Sequence, residues 1–538
     1  TSLPAALAAA TRSATFWILW TSAIEDPPYF WTMIGTRETS GAILWGRDNQ
    51  EGSVAEQKDQ PGEAAEGAQA APEPRADAMS PDKAASSIGD SLRDYLDRRL
   101  LIIFIFGIAS GFPWVLWGSA MTAWLKESGL TRSAIGVFGT VAAAYSTHFL
   151  WAPFVDRIPF PLLGRLGQRR GWLIGMQIPL ALATLGIAFT HPAESVKWTG
   201  VLALVIAFCS ATQDIAISAY RIEVIGREET TKISHASAAE TAGWWTGYAL
   251  LGAVPFFLAD LPGWTWNRIY VLLAAMWIPI MVAVILAREG KQNRRRFEEA
   301  EQKYEKALAA KVAPGLWARF TAWIAVTVVE PFREFFARTG LKLGISVLLF
   351  LFLFKLGEAF LGRMAIVFYK EVGFTDTQIA QYSKLLTAAV TILFSMAGGL
   401  LNARIGIIRG LFVGGIAMAS SNLMFAWIAV VGPSEKLYAA TIFVDGFTSA
   451  MSTVAFVSFI SYFTSHTYTG TQYALLAAVG TLGRTFVSGG SGFVVDALRG
   501  NWAVFFVITA LMVIPSLILL LYVGRLLRAR IKVWEAEA

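Results

Sequence analysis

The stretch from Val201 to Glu223, VLALVIAFCSATQDIAISAYRIE, is long enough to cross a bilayer, yet it carries Gln213, Asp214 and Arg221 in its second half. A charge at that depth costs about 2.5–3.5 kcal/mol even on the lenient insertion scale, so such side chains normally face a bundle interior or a water-filled path for substrate or protons. Asp214, Ser218 and Arg221 stand at i, i+4 and i+7 and share one helix face. A carboxylate partly withdrawn from water there can load and release a proton in the physiological range, which makes Asp214 the first candidate for proton coupling. A structural ion pair with Arg221 or Lys355 is the alternative. Glu240 and Glu358 are rival coupling sites, although Glu358 stands three residues after Lys355, the spacing of a pair within one helix.

These groups need elements that cross a membrane, and the composition supplies them. The chain has 538 residues, 55% of them hydrophobic, above the usual ~45–50% of soluble domains. About twelve apolar spans can be laid out along it. The net charge of +6 does not mark a nucleic-acid binder, because the basic residues fall in short loops between spans, the positive-inside pattern. That pattern places the loop with Arg157, Arg169 and Arg170, the central linker and both termini in the cytoplasm. Cys209 is the single cysteine, so neither a disulfide nor a cysteine metal site forms within one chain. His148, His191, His235 and His466 are scattered without metal-ligand spacing, no GxxxxGK[ST] sequence is present, and no cofactor, metal or enzymatic activity is expected.

The expected organisation is all-α and polytopic. Residues 1–98 form a largely disordered extension, poor in aromatics from Gly46 to Asp90, with Met79 as an alternative start. A first six-helix half covers 99–287, a charged and partly helical linker 288–342, a second six-helix half 343–525, and a tail 526–538. A faint repeat supports two halves: FFLAD is followed six residues after Asp260 by Trp266, and GFVVD six residues after Asp496 by Trp502. Asp156, Arg157, Arg169 and Arg170 likewise parallel Asn402, Arg404 and Arg409. Parallel six-helix repeats are the arrangement of major facilitator transporters, while chance similarity of apolar segments is the alternative.

Several segments in order and spacing resemble the AmpG-type muropeptide permeases of that superfamily: FGIASGFPWVLWGSAMTAWL, FLWAPFVDR with GQRRGW, IAFCSATQDIAISAYRIE, FKLGEAF and TGTQYALLAAVGTLGR. The resemblance runs from Leu100 to Arg525. It implies proton-driven import of N-acetylglucosaminyl-anhydro-N-acetylmuramyl peptides across the inner membrane of Gram-negative bacteria for cell-wall recycling. Ser218 stands where the family commonly has a second acidic residue, a departure that bears on coupling and on the cargo. The implied partners are the muropeptide, protons and membrane lipid, with no nucleic acid, and the chain is read as a monomer.

Such a cargo offers acetamido groups, hydroxyls and carboxylates, which suit amide and basic side chains beside aromatic faces. The substrate candidates are Gln213, Ser218, Arg221, Lys355, Arg363, Lys384, Gln472 and Arg484, with Trp114, Trp117 and Trp244, and also Trp245, for stacking. Arg363 and Lys384 could instead snorkel to an interface. Asp156, Arg157, Arg169 and Arg170 resemble the superfamily's gating loop, in which the carboxylate caps or pairs across two spans. Gly107, Gly111, Gly243 and Gly247 should allow close helix approach. The competing readings are a permease of the same family for another solute, acyl-CoA or siderophore-like, and a membrane-embedded enzyme.

Overall fold

Backbone polar groups inside hydrocarbon must satisfy one another, and the apolar stretches accordingly fold as helices. The computed structural model describes residues 94–130, 143–192, 194–225, 229–259, 261–289, 329–375, 378–482 and 487–537, with Phe138, Val141, Trp323, Thr327 and Arg484. Nearly all of the N-terminal extension, most of the linker and Asp260 lie outside these residues.

In the first half, α1 (Arg98–Gly111) passes through a π-turn at Val115–Ser119 into α2 (Ala120–Glu127). There follow α3 (Ala143–Thr147), α4 (Ala152–Arg157), α5 (Gln168–Ala188), α6 (Val196–Val224), α7 (Thr230–Trp245), α8 (Leu251–Ala259), α9 (Trp266–Ala275) and α10 (Trp277–Leu286). The linker contributes α11 (Glu330–Thr339). The second half comprises α12 (Leu341–Phe354), α13 (Leu356–Val372), a π segment (Ile379–Leu386), α14 (Thr387–Ile405), α15 (Ile407–Val431) and α16 (Glu435–Phe463). It continues with α17 (Thr469–Leu482), α18 (Ser491–Ala497), α19 (Trp502–Leu511) and α20 (Val513–Glu537). Among the described residues, ten stretches are long and apolar enough to cross a membrane, and no strand occurs.

Local chemistry sets the helix ends. Asp97 caps α1 by accepting the Arg99 amide at 2.9 Å, Asn501 caps α19 by accepting the Val504 amide at 3.2 Å, and Gly373, at φ 107°, closes α13 in the left-handed conformation.

Lipid tails are as apolar as leucine, so helices associate here through close packing and interhelical hydrogen bonds rather than a hydrophobic drive. The seam between α1 and α7 shows this. A Cβ at Gly107, Gly111, Gly243 or Gly247 would collide with the carbonyl oxygen of Glu240, Trp244, Phe104 or Ile108, respectively. The glycines singled out from the sequence thus bring two backbones together and fix the positions of Glu240 and Trp244.

The paired tryptophans also occupy corresponding places. The Trp266 indole donates to Glu127 at 2.6 Å, and the Trp502 indole donates to Glu371 at 2.7 Å. In each half the helix that opens with this tryptophan is therefore tied at its start to the far end of the first span.

Candidate functional site

Asp214 lies midway along α6, half-buried, beside the Ser110 hydroxyl of α1 and within electrostatic reach of Glu240. Its Oδ1 is buried and has no hydrogen-bond partner among the described residues. Arg221, two turns further along α6, does not pair with it. That guanidinium forms an ion pair with Glu240, donates to Ser237 at 2.7 Å and Ser461 at 2.9 Å, and lies 5.1 Å from the centroid of the Tyr473 ring. The buried base is therefore taken by Glu240, and Asp214 is left without one. Ser218 sits beside Tyr473 of α17 on the same face, so the three residues at helical spacing gather around Tyr473 at the seam between the halves.

Aromatic rings form a wall beside Asp214. Trp114 lies 5.0 Å from Trp117, 4.6 Å from Tyr145 and 6.2 Å from Trp244, centroid to centroid. Trp244 stacks on Tyr248 at 5.1 Å and meets Trp245 edge-on at 5.5 Å. Tyr145 couples the wall to α6 through a hydroxyl contact with Ser210 and faces the charge of Asp214. Half-buried rings grouped over a carboxylate can stack on the apolar faces of a sugar while their polar edges reach its hydroxyls.

The second half places a different group at comparable depth. Lys355 stands at the break between α12 and α13, pairs with Glu358, and donates to Ser452 at 2.9 Å and Thr453 at 3.1 Å. Asp445 of α16 accepts from Ser421 at 2.9 Å and lies within reach of both Lys355 and Glu358.

At one end of the bundle the halves are locked together. Arg169, fully buried, holds Asp156 at 2.7 Å and Glu223 at 2.6 Å. Asp156 in turn accepts the Gly470 amide at 2.9 Å and the Thr471 amide and hydroxyl, each at 2.6 Å. A carboxylate from the first half thus occupies the positive N-terminus of α17 in the second. Arg169 and Glu223 both reach Thr469 as well. Beside this ionic closure is a neutral one: Gly399 of α14 packs on Ser234 and Ala238 of α7, and the Tyr95 hydroxyl donates to the Met396 carbonyl at 2.7 Å.

The other residues expected at the loop have different roles. Arg157 donates to the Trp323 carbonyl at 3.0 Å and Thr327 at 2.8 Å in the linker, and Arg170 caps the end of α10 through the carbonyls of Val284 and Ile285.

Two substrate candidates have their amides taken up by neighbouring helices. Gln213 is fully buried, accepting from Gln177 at 2.9 Å and donating to the Ala109 carbonyl at 2.8 Å, so its amide is occupied in packing α6 against α5 and α1. Gln472 sits at the closed end, where its amide donates to the Pro331 carbonyl at 2.8 Å and Glu334 at 2.6 Å of α11. Arg363 and Arg484 are exposed, and the Lys384 side chain is outside the described residues. Sequence reasoning missed Glu223, Tyr145, Tyr248, Asp445 and Tyr473. Asp445 carries the same signal as Asp214, a lone carboxylate in an apolar span, whereas the tyrosines carry none beyond their composition.

Among the described residues, a helical bundle with buried charges at the seam between its halves and an ionic contact joining them at one end has the form of a membrane transporter. The profile of the Major Facilitator Superfamily matches residues 100–488, and the chain belongs to this superfamily. It is 32% identical over 430 residues to the "Putative transporter AmpG 4" of Rickettsia conorii, covering 80% of this chain and 97% of that protein. It is also 32% identical over 432 residues to the "Anhydromuropeptide permease" of Escherichia coli K12, covering 80% of each. Among solved structures, the proton:xylose symporter XylE superposes with a TM-score of 0.57 at 15% identity, over 79% of this chain and 95% of that one. FucP, in its outward conformation, gives 0.55 at 14% identity, over 80% of this chain and 99% of that one. These two similarities show the fold. The chain is thus a membrane transporter with muropeptide-permease relatives, and not an enzyme.

Proposed function

We propose that this protein imports anhydro-muropeptides across the bacterial inner membrane by proton-coupled alternating access. The observation that carries the reading is the seam between the halves, taken as the cargo chamber: Asp214, its Oδ1 without a partner, lies beside Tyr145 and the Trp114, Trp117 and Trp244 rings grouped with it, and Arg169, Asp156 and Glu223 join the halves at one end. The similarity to the Escherichia coli permease supplies the cargo class. The locked end is the cytoplasmic one, because the basic loops and the start of α1 gather there, and both termini are cytoplasmic. The segments around α3–α4 and α17–α18 complete twelve spans.

In this state cargo enters from the periplasmic side, its sugars stack on the aromatic wall, and its acetamido and hydroxyl groups meet Ser218 and the Arg221–Glu240 pair. Lys355, Arg363 and Arg484 face it from the second half. Protonation of Asp214 removes a charge that is costly to carry through an occluded state, which makes the closed, loaded form accessible. Glu240 and Glu358 are held by bases and take part through those pairs. Opening of the cytoplasmic end requires Asp156 to leave α17.

The test is uptake of labelled anhydro-muropeptide into liposomes containing the reconstituted chain, with and without an inward proton gradient. Gradient-stimulated uptake that Asp214→Asn removes is the expected result. Folded protein that moves no muropeptide under either condition would refute the cargo assignment.

A further inference from the structure

Four charged side chains of the second half meet inside the bundle and balance one another. Lys355 is buried against Glu358, Ser452 and Thr453, and Asp445 is held by Ser421 within reach of Lys355 and Glu358. Arg484, on the span that α17 begins, lies within reach of both Lys355 and Glu358 and is the exposed member of the set. Tyr369 of α13 is a further titratable group facing Asp445. With two bases and two carboxylates, the set is neutral.

On the reading given above, we propose that a carboxylate of the cargo docks on Arg484 and that its arrival draws one proton from chamber water onto the Glu358–Asp445 pair. The cargo carboxylate adds one negative charge, and Arg484 turned toward it no longer offsets Glu358. Lys355 is then the single base for two carboxylates in a poorly hydrated place, where an uncompensated charge is expensive. A proton bound to a carboxylate oxygen, forming the neutral acid, restores the balance. Arg221 is a poorer dock for that carboxylate, because it already holds Glu240 as its own counter-ion and donates to Ser237 and Ser461. Linkage is reciprocal, so the proton also strengthens binding of the acid by the same factor.

The experiment is calorimetric titration of the full chain in nanodiscs with two probes, an anhydro-disaccharide tripeptide bearing free carboxylates and the same molecule with those carboxylates amidated. Each is titrated in two buffers of different ionisation enthalpy, whose comparison gives the protons taken up. Wild type should take up about one proton with the acid and none with the amide, as charge balance requires. Asp445→Asn should bind both probes with no proton uptake, binding of the amide serving as the check that its site is folded. Arg484→Gln should lose about tenfold in preference for acid over amide, the size of an ordinary coupling energy. Equal proton uptake by wild type and Asp445→Asn, or none when wild type binds the acid, would overturn the linkage and leave the cargo reading intact. If neither probe binds wild type, the cargo reading fails and this inference fails with it.

Discussion

The two halves are built on one frame and furnished with different chemistry. In both, a tryptophan opening a late span bonds a glutamate at the far end of the first, Trp266 to Glu127 and Trp502 to Glu371. Both interrupt the first span near its middle, at the π-turn after Gly111 and at Lys355. Both seat that span on a glycine against a neighbouring carbonyl, Gly111 on Trp244 and Gly357 on Thr509. Within this common frame, the first half presents aromatic rings and a carboxylate without a base, while the second presents a balanced set of two bases and two carboxylates. The frame follows from residues that repeat, and the chemistry from residues that do not. A bundle of this kind can bind a molecule with two unlike ends in a defined orientation.

The largest effect should come from the unlike residues. Asp214→Asn is expected to lower gradient-stimulated uptake in liposomes about 100-fold, whereas exchange of cargo without a gradient continues. Retained stimulation would move coupling entirely into the second half. The shared frame should fail alike on both sides: Gly111→Ala and Gly357→Ala should each cost about 1–3 kcal/mol, since a methyl must displace backbone, and reduce the yield of folded protein. Tolerance of one and not the other would break the correspondence.

At the closure, Asp156→Asn should shift the equilibrium toward the open form about tenfold, or roughly 1.4 kcal/mol, measured by cysteine labelling from the cytoplasmic side. Its repeat counterpart Asn402 faces Gly410 inside the second half, so Asn402→Ala should change labelling less than about twofold. Smallest of all, Trp266→Phe and Trp502→Phe should each lower stability by about 1 kcal/mol, a lost hydrogen bond apiece, seen as similar small drops in melting temperature.

How far such features can be read from sequence depends on how local their cause is. Asp214 stands out because an aspartate in an apolar span violates the composition around it, and the Trp266–Trp502 correspondence stands out because it is a spacing. Gln213 and Gln472 violate their spans equally, yet their amides are satisfied by carbonyls and side chains of other helices, which spacing along one helix does not reveal. Asp156 is singled out as a gating candidate through the motif it resembles, but its partners, Gly470 and Thr471, are more than three hundred positions away. The aromatic wall drew Trp114, Trp117 and Trp244 from the sequence and left out Tyr145, which only the approach of the next span brings in.

The first turn of α17 borrows its cap from Asp156 in the other half. The second half is therefore not self-sufficient as a fold: expressed alone, it would carry a helix whose leading amides end in solvent, and co-expression with the first half would complete it. The two halves behave as complementary fragments, each finished by the other. On the alternating access proposed above, each cycle would undo and remake, at this one turn, a step of the protein's own assembly.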